Sequence, residues 1–246
     1  MIGNTNRPVL IAHRGGAAEA PENTLASFRH AIGLGCKLVE LDVQMTSDGE
    51  LVVIHDESVD RTTNGHGAVQ SMSFAELRTL DAGVKFSESF RGEKIPTLRE
   101  VLELCTDTGV GVVVELKATD LNPGIDEKVV ALIGEMWLRG AENIWCISFY
   151  HDTIRRIRAL DSTLPLGYLY MPDVQDFSEA DDIVQAVCPY YRSALAHPEQ
   201  VDAAHKSGKF VFVYTVNSQD EMNMLAEIGV DGLVSDTPST LMTQDK

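Results

Sequence analysis

The chain contains 246 residues, of which 44% are hydrophobic and 23% are charged, a composition typical of folded globular proteins. Its 20 Lys and Arg residues are outnumbered by 37 Asp and Glu residues, which gives a formal net charge of -17. A chain this acidic lacks the basic surface that nucleic acids require, and anionic lipid surfaces repel it. We therefore expect no nucleic-acid partner, and an anionic substrate would need a local cluster of cations.

Residues 1–12 show neither the charged start nor the long apolar run of a secretory signal. No apolar stretch approaches the roughly 20 residues that span a bilayer. The dispersed cysteines, which form no C-x-x-C pair and have apolar neighbours, are Cys36, Cys105, Cys146 and Cys188. This pattern favours buried free thiols over disulfides or zinc. We expect a protein of the reducing cytoplasm without stable membrane insertion.

Apolar runs and amphipathic patterns alternate along the chain. The apolar runs predict strands at residues 9–12, 38–43, 111–116, 143–147, 166–170, 186–188, 210–214 and 232–235. The amphipathic patterns predict helices at residues 24–34, 97–108, 127–139, 152–160, 198–207 and 219–228. Near-continuous Val, Ile and Leu runs are typical of buried parallel strands, and eight strand-helix units in about 250 residues predict a TIM (β/α)8 barrel. An open doubly wound sheet is the competing fold, but residues 13–16 (HRGG) match no Gly-rich phosphate loop.

Residues 49–96 interrupt this alternation. Asp48 and Gly49 predict the turn of a hairpin whose second strand covers residues 51–54, and the turn-rich segment 61–67 (RTTNGHG) follows. No linker rich in Pro, Gly or Ser divides the chain. We predict one domain, residues 1–246, with a small insertion on the barrel rim after the second strand.

Charged residues occur at the ends of two predicted strands. The period of two in a strand places Glu40 and Asp42 on one face of residues 38–43 (LVELDV). Glu115 and Lys117 occupy equivalent positions at the end of the next long strand. Because active sites of such barrels lie at the carboxyl ends of the strands, we expect the three acids to converge at one mouth.

Three carboxylates at one mouth repel one another unless something neutralises them. Two like charges about 4 Å apart repel by roughly 4 kcal/mol at an effective dielectric of about 20. A bound cation removes this repulsion, and ligands that are all oxygen favour Mg²⁺ or Ca²⁺ over zinc. A structural network in which Arg14, Lys117 and backbone donors neutralise the acids fits the spacing equally well.

Two histidines are placed for the same mouth. His13 follows the first predicted strand, and His55 follows the returning strand of the hairpin, directly before Asp56. Their position is compatible with acid/base catalysis and with a purely structural role.

The polar residues form a series of short motifs. In chain order these are AHRGG (12–16), PENT (21–24), ELDV (40–43), VIHD (53–56), DRTTNG (60–65), ELK (115–117), SF (148–149), YTVN (214–217), GVDG (229–232) and SDTP (235–238). In this order and spacing the motifs resemble those of the glycerophosphodiester phosphodiesterase family along nearly the whole chain.

The resemblance implies a TIM barrel in which residues 49–96 are the family's insertion. It also implies hydrolysis of glycerophosphodiesters to glycerol 3-phosphate and an alcohol, with one divalent cation, Mg²⁺ or Ca²⁺, as cofactor. The implied roles are acid/base catalysis for His13 and His55, phosphate binding for Arg14 and Lys117, and metal binding for Glu40, Asp42 and Glu115. Tyr214 stands where the family usually has Trp, which implies a changed pocket wall.

Other polar residues near the predicted site are candidates for helix caps or for site residues. Asn23 or Thr24 is a suitable N-cap for the helix that follows, with the cap favoured as the role of Asn23. Glu22 is a weak candidate for a metal ligand. Asp236, before Thr237 and Pro238, is either a helix cap or a site residue.

Two alternative functions remain compatible with the barrel. A lyase like sphingomyelinase D would form a cyclic phosphate from a lipid substrate, but such an enzyme needs apolar rim loops, and residues 60–67 and 87–94 are polar and charged. A non-catalytic barrel that binds head groups would be expected to have lost His13, His55 or the acids, and all of these are present.

Overall fold

The computed structural model describes residues 7–117, 122–138, 140, 143–178 and 180–242, and within these ranges eight parallel strands form a closed barrel. The strands in chain order are β1 (Val9–Ala12), β2 (Leu38–Met45), β3 (Leu51–Val53), β4 (Gly111–Leu116), β5 (Ile144–Ser148), β6 (Leu166–Leu169), β7 (Ala186–Cys188), β8 (Phe210–Val213) and β9 (Gly232–Ser235). Only β3 lies outside the ring, paired antiparallel with β2.

Pairing of β1 with two neighbours closes the ring. Ile11 of β1 is in register with Leu38 of β2 and with Val234 of β9. The predicted TIM barrel is therefore confirmed, and the open sheet is not the fold of this chain.

Nine α-helices lie within the described ranges. They are α1 (Leu25–Leu34), α2 (Phe74–Leu77), α3 (Leu98–Thr108), α4 (Ile125–Leu138), α5 (His151–Leu160), α6 (Tyr191–Ala196), α7 (Pro198–Lys206), α8 (Gln219–Glu227) and α9 (Pro238–Met242). Six of them match the predicted helices within two residues, and residue 139, the predicted end of α4, lies outside the described residues. The helices α2, α6 and α9 were not predicted, because four to six residues are too few to show helical periodicity.

Local sequence sets the ends of the long helices. The Thr24 side chain accepts a hydrogen bond from the backbone N–H of Ser27 at 3.2 Å and caps α1. The predicted cap therefore falls on Thr24, not on Asn23. Gly35 ends the helix with a φ of 94°, a conformation that favours glycine.

The strands separate two apolar layers. The inner layer fills the barrel with side chains such as Ile11, Val113 and Phe212, and the outer layer packs the helices against strand residues such as Leu41 and Val43. Leu41 and Val43 therefore face outward, as predicted from the period of two, and the residues between them face inward. This alternation places the acids of β2 inside the barrel.

The insertion of residues 49–96 has an apolar cluster of its own. Gly49, with a φ of 83°, turns the chain from β2 into β3. Beyond β3, Val59, Val69 and Leu77 are fully buried together with Val52 of the hairpin. The insertion thus has an apolar core of its own, and the pairing of β3 with β2 attaches it to the barrel.

The four cysteines are free and buried, as predicted. Burial raises the pKa of Cys36 to about 11 and that of Cys105 to about 12, so both thiols stay protonated at neutral pH. Within the described ranges, no helix combines the length and apolar character needed to cross a bilayer.

The apolar cluster of the insertion leads to a stability prediction. Leu77 is fully buried, whereas Leu160 at the end of α5 is 48% exposed. Leu77→Ala should lower the free energy of unfolding by about 2–5 kcal/mol, because it removes buried apolar surface and leaves a cavity, while Leu160→Ala should cost less than about 1 kcal/mol. Urea denaturation of both variants measures the difference. Equal losses would show that the cluster does not support the folded chain.

Candidate active site

Three buried carboxylates meet inside the barrel mouth. Glu40 and Asp42 come from β2, and the strand register places Glu115 of β4 directly beside Asp42. One oxygen of each carboxylate lies within 4.8 Å of the others, and the residues are 2%, 0% and 7% exposed. The predicted convergence of these acids is therefore observed.

Burial and mutual repulsion make these carboxylates difficult to ionise together. Burial, followed by the charges of Asp42 and Glu115, raises the pKa of Glu40 well above its usual range. Burial likewise raises the pKa of Glu115 to about 7, against the opposing effect of Lys117. Asp42 differs, because Lys117 and Arg14 outweigh burial and hold its pKa low. The site thus carries more acid than its two cations neutralise.

The donor atoms of this cluster suit a hard divalent cation. All three ligands are carboxylate oxygens. Among the described residues, the buried Oδ1 of Asp42 makes no hydrogen bond and has the ammonium of Lys117 at 3.1 Å as an ion-pair partner. The acidic triad therefore fits a divalent metal.

Arg14 and Lys117 lie against the same acids. The backbone N–H of Arg14 donates to Glu40 at 3.0 Å, and its Nε lies 3.2 Å from Asp42. Lys117 Nζ lies 3.1 Å from Asp42 Oδ1 and also contacts Glu115. Burial opposes the charge of Lys117, but the two carboxylates outweigh it and raise its pKa. The neutralising network considered from the sequence is therefore present beside the metal-binding arrangement.

Each of the two histidines is held by an aspartate. His13 Nδ1 lies 2.6 Å from Asp236 Oδ1, and His55 Nδ1 lies 2.7 Å from Asp56 Oδ1. A carboxylate at this nitrogen favours the Nδ1–H tautomer and leaves Nε2 available for proton transfer. Both histidines line the barrel cavity.

The surroundings of His55 and Asp56 lower the pKa of both side chains, for different reasons. Burial lowers the pKa of His55, with the charge of Asp42 acting in the opposite direction. Hydrogen bonds from Arg61 lower the pKa of Asp56 to about 2, so its carboxylate stays ionised beside the ring. The aspartate therefore holds the ring without competing for its proton.

Arg61 of the insertion links Asp56, which holds His55, to Glu22, which holds Arg14. The Arg61 guanidinium donates to Asp56 at 2.7 and 3.1 Å and to Glu22 at 2.6 and 2.8 Å. Glu22 in turn accepts a hydrogen bond from Arg14 at 3.0 Å. A continuous chain of ion pairs, here called the Arg61 bridge, thus runs from His55 through Asp56, Arg61 and Glu22 to Arg14. Sequence reasoning missed Arg61, whose only signal was its place in the DRTTNG motif.

The positions with two interpretations are resolved in the structure. Glu22 binds two arginines and lies outside the three-carboxylate cluster. Asn23, with a φ of 58°, donates to Asp42 Oδ2 at 2.8 Å and so orients that carboxylate. Asp236 lies at the site, where it contacts His13 and accepts a hydrogen bond from Asn217 Nδ2 at 2.9 Å.

A cavity of about 240 Å³ extends from the acids into the barrel. Tyr214 lines it and packs edge-on against Phe149, with ring centroids 5.7 Å apart. Tyr214 thus forms part of the cavity wall. Apolar residues including Val113, Leu169 and Phe212 form the rest of the wall. The site therefore combines a charged mouth with an apolar interior.

Known proteins are similar to this chain in sequence. The family model described as the glycerophosphoryl diester phosphodiesterase family matches residues 13–240. A glycerophosphodiester phosphodiesterase of Caldanaerobacter subterraneus is 41% identical over 239 residues, which cover 96% of this chain and 97% of the relative. A Bacillus subtilis protein that bears the name putative glycerophosphodiester phosphodiesterase is 36% identical over 240 residues, which cover 96% of this chain and 98% of the relative.

Solved structures agree with this similarity. A phosphodiesterase of Oleispira antarctica, solved in complex with the product sn-glycerol-3-phosphate, has a TM-score of 0.86 at 30% identity, over 96% of each chain. A glycerophosphodiester phosphodiesterase of Agrobacterium tumefaciens has a TM-score of 0.83 at 29% identity, over 96% of this chain and 99% of that one. The chain belongs to the glycerophosphoryl diester phosphodiesterase family.

Proposed function

We propose that the chain hydrolyses glycerophosphodiesters to glycerol 3-phosphate and an alcohol, using one divalent cation, Mg²⁺ or Ca²⁺, and two histidines. The observation that carries this proposal is the meeting of three buried carboxylates, two cations and two aspartate-held histidines at one barrel mouth. The product-bound relative from Oleispira antarctica supports the same substrate class. We further propose that the chain is one domain and works in the cytoplasm, where reducing conditions suit its four free thiols.

Arg14 and Lys117 provide the positive charge that binds the phosphate. The chain as a whole carries -17 and repels anions. Both cations lie at the cavity wall and keep their charge despite burial. Together with a bound divalent cation, they would make the mouth locally positive where the diester binds.

Glu40, Asp42 and Glu115 would hold the divalent cation, which supplies charge stabilisation for phosphate oxygens when bound. Asn23 fixes the orientation of Asp42, and the backbone N–H of Arg14 fixes that of Glu40. These contacts keep the carboxylate oxygens directed into the mouth.

The histidines move the protons that hydrolysis requires. An alkoxide leaving group is very basic and needs a proton as it departs, while the attacking water must lose one. One histidine delivers a proton through Nε2 and the other accepts one. Asp236 and Asp56 keep both Nε2 atoms available by holding the opposite nitrogen.

Removal of the cation should abolish activity. We expect EDTA to stop hydrolysis of glycerophosphocholine and Mg²⁺ or Ca²⁺ to restore it. Glu115→Gln should weaken cation binding at least about tenfold in calorimetry, because it removes a charged ligand while keeping the side-chain shape. Asp107→Asn, on the exposed end of α3, is the matched control and should bind the cation as the wild type does. Full activity in excess EDTA would contradict metal dependence.

The effect of replacing either histidine on the rate of hydrolysis should depend on the leaving group of the substrate. His13→Ala and His55→Ala should each lower kcat on a natural diester by about 10² or more. A p-nitrophenyl ester leaves without a proton, so it should restore the rate of the variant that lacks the general acid and not of the variant that lacks the base. Rates on both substrates give the assignment. Equal losses on both substrates in both variants would show that the division between acid and base is wrong.

The Arg61 bridge should matter for turnover more than for folding. Arg61→Met removes four hydrogen bonds to Asp56 and Glu22, so we expect kcat to fall about 10- to 100-fold through looser placement of His55. Arg91→Met is the control, since Arg91 is an exposed arginine of the same insertion that binds Glu88 alone in a similar two-pronged contact. It should leave kcat unchanged.

Arg61→Lys distinguishes geometry from charge, because a lysine keeps the charge but cannot bind two carboxylates in a two-pronged way. We expect it to recover less than half of the lost rate. Wild-type kcat in Arg61→Met would contradict the assigned role.

A further inference from the structure

Two spaces open from the catalytic mouth. His55, Glu115, Lys117 and Phe149 line both of them. One is the barrel cavity of about 240 Å³, and the other is an open groove of about 590 Å³ on the rim. A phosphodiester held at the shared residues therefore has one space for each of its two arms.

The two spaces differ in what they accept. Below the charged mouth the barrel cavity is closed by apolar side chains, which limits the size of its occupant. The groove, here called the rim groove, is open to solvent and continues past Asp56, Glu57, Ser58, Tyr150 and Met171. An alcohol of variable size is therefore more easily accommodated in the open groove than in the cavity.

Charged side chains lie along the rim groove. At its inner end Lys117 is paired with Asp42 and Glu115 and faces the phosphate position. At its outer part Glu57 is exposed, and its side chain has no hydrogen bond or ion pair within the described ranges. Asp56 adds a second carboxylate, already bound by Arg61 and His55. The outer part of the groove thus carries an unpaired negative charge, whereas Lys117 at its inner end is already paired with two carboxylates.

Exposed apolar side chains accompany this unpaired carboxylate. Tyr150 is 49% exposed and Met171 is 55% exposed, although both are large hydrophobic residues. An aromatic face attracts alkylammonium ions through its quadrupole, and a carboxylate adds a direct charge attraction. Neither feature favours an anionic alcohol.

We infer that the rim groove selects diesters whose alcohol carries a positive charge, with an alkylammonium group such as that of choline beside Glu57 and Tyr150. In such a diester a short linker separates the phosphate from the ammonium, so a phosphate held at Lys117 directs the ammonium along the groove that Glu57 and Tyr150 line. This inference rests on the proposed diesterase activity, because it assigns the leaving alcohol of that reaction.

The test compares two diesters that share the glycerol phosphate half. We expect kcat/KM for glycerophosphocholine to exceed that for the neutral glycerophosphoglycerol about tenfold. Glu57→Gln and Tyr150→Leu should each lower this ratio about threefold or more. Asp202→Asn changes an exposed carboxylate of α7 that lines neither space, and it should keep the wild-type ratio. An unchanged ratio in both groove variants, or no preference in the wild type, would overturn the inference.

A binding measurement separates this inference from the proposed activity. Calorimetry with phosphocholine in place of the diester should give about threefold weaker affinity for Glu57→Gln than for the wild type. Equal affinities would overturn the groove assignment even if the diesters are hydrolysed. Weaker binding by the variant, together with no hydrolysis of either diester, would support the groove and contradict the proposed activity instead.

Discussion

The repulsion between three carboxylates in the barrel interior is the constraint on which the rest of the site depends. Glu40, Asp42 and Glu115 lie where little solvent reaches, and burial raises the pKa of two of them. Such a cluster persists only with compensating positive charge. Arg14 and Lys117 supply part of it, and a divalent cation supplies the remainder in the proposed enzyme. The same positive charges that allow the acids to be buried also attract the anionic substrate.

The insertion supports this arrangement from outside the barrel. The pairing of β3 with β2 attaches it to the barrel, and Arg61 joins it to Glu22. Because Asp56 is held by the same guanidinium, the insertion and the histidine it carries are positioned by one set of ion pairs. Stability of the rim and geometry of the site are therefore linked through a single side chain.

Much of the fold could be predicted because its signals are local. The alternation in residues 38–43 depends only on neighbouring residues, and it correctly placed Glu40 and Asp42 inside. Gly35, which ends α1 in the structure, is a local signal of the same kind. Short helices such as α6 carry too few residues for such a signal.

Contacts between residues far apart in the sequence were harder to predict. Asp236 is 223 residues from His13, and no pattern near either residue shows that they meet. Asn23 looked like a helix cap because cap propensity is a local property, whereas its actual bond to Asp42 depends on the barrel. The role of Arg61 likewise depends on tertiary packing. Sequence patterns thus located the residues of the site more readily than their partners.

Closure of the ring by β1 and β9 has a consequence for synthesis on the ribosome. The first strand of the chain pairs with the last, so the open edge of β1 cannot be covered by β9 until residues 232–235 have left the exit tunnel. The His13–Asp236 contact forms at the same late stage. Contacts of such long sequence separation slow folding and leave strand edges exposed to aggregation in the meantime. A chain that lacks β9 and Asp236 would therefore be unable both to close the barrel and to hold His13, so the ring and this histidine contact depend on the same late segment.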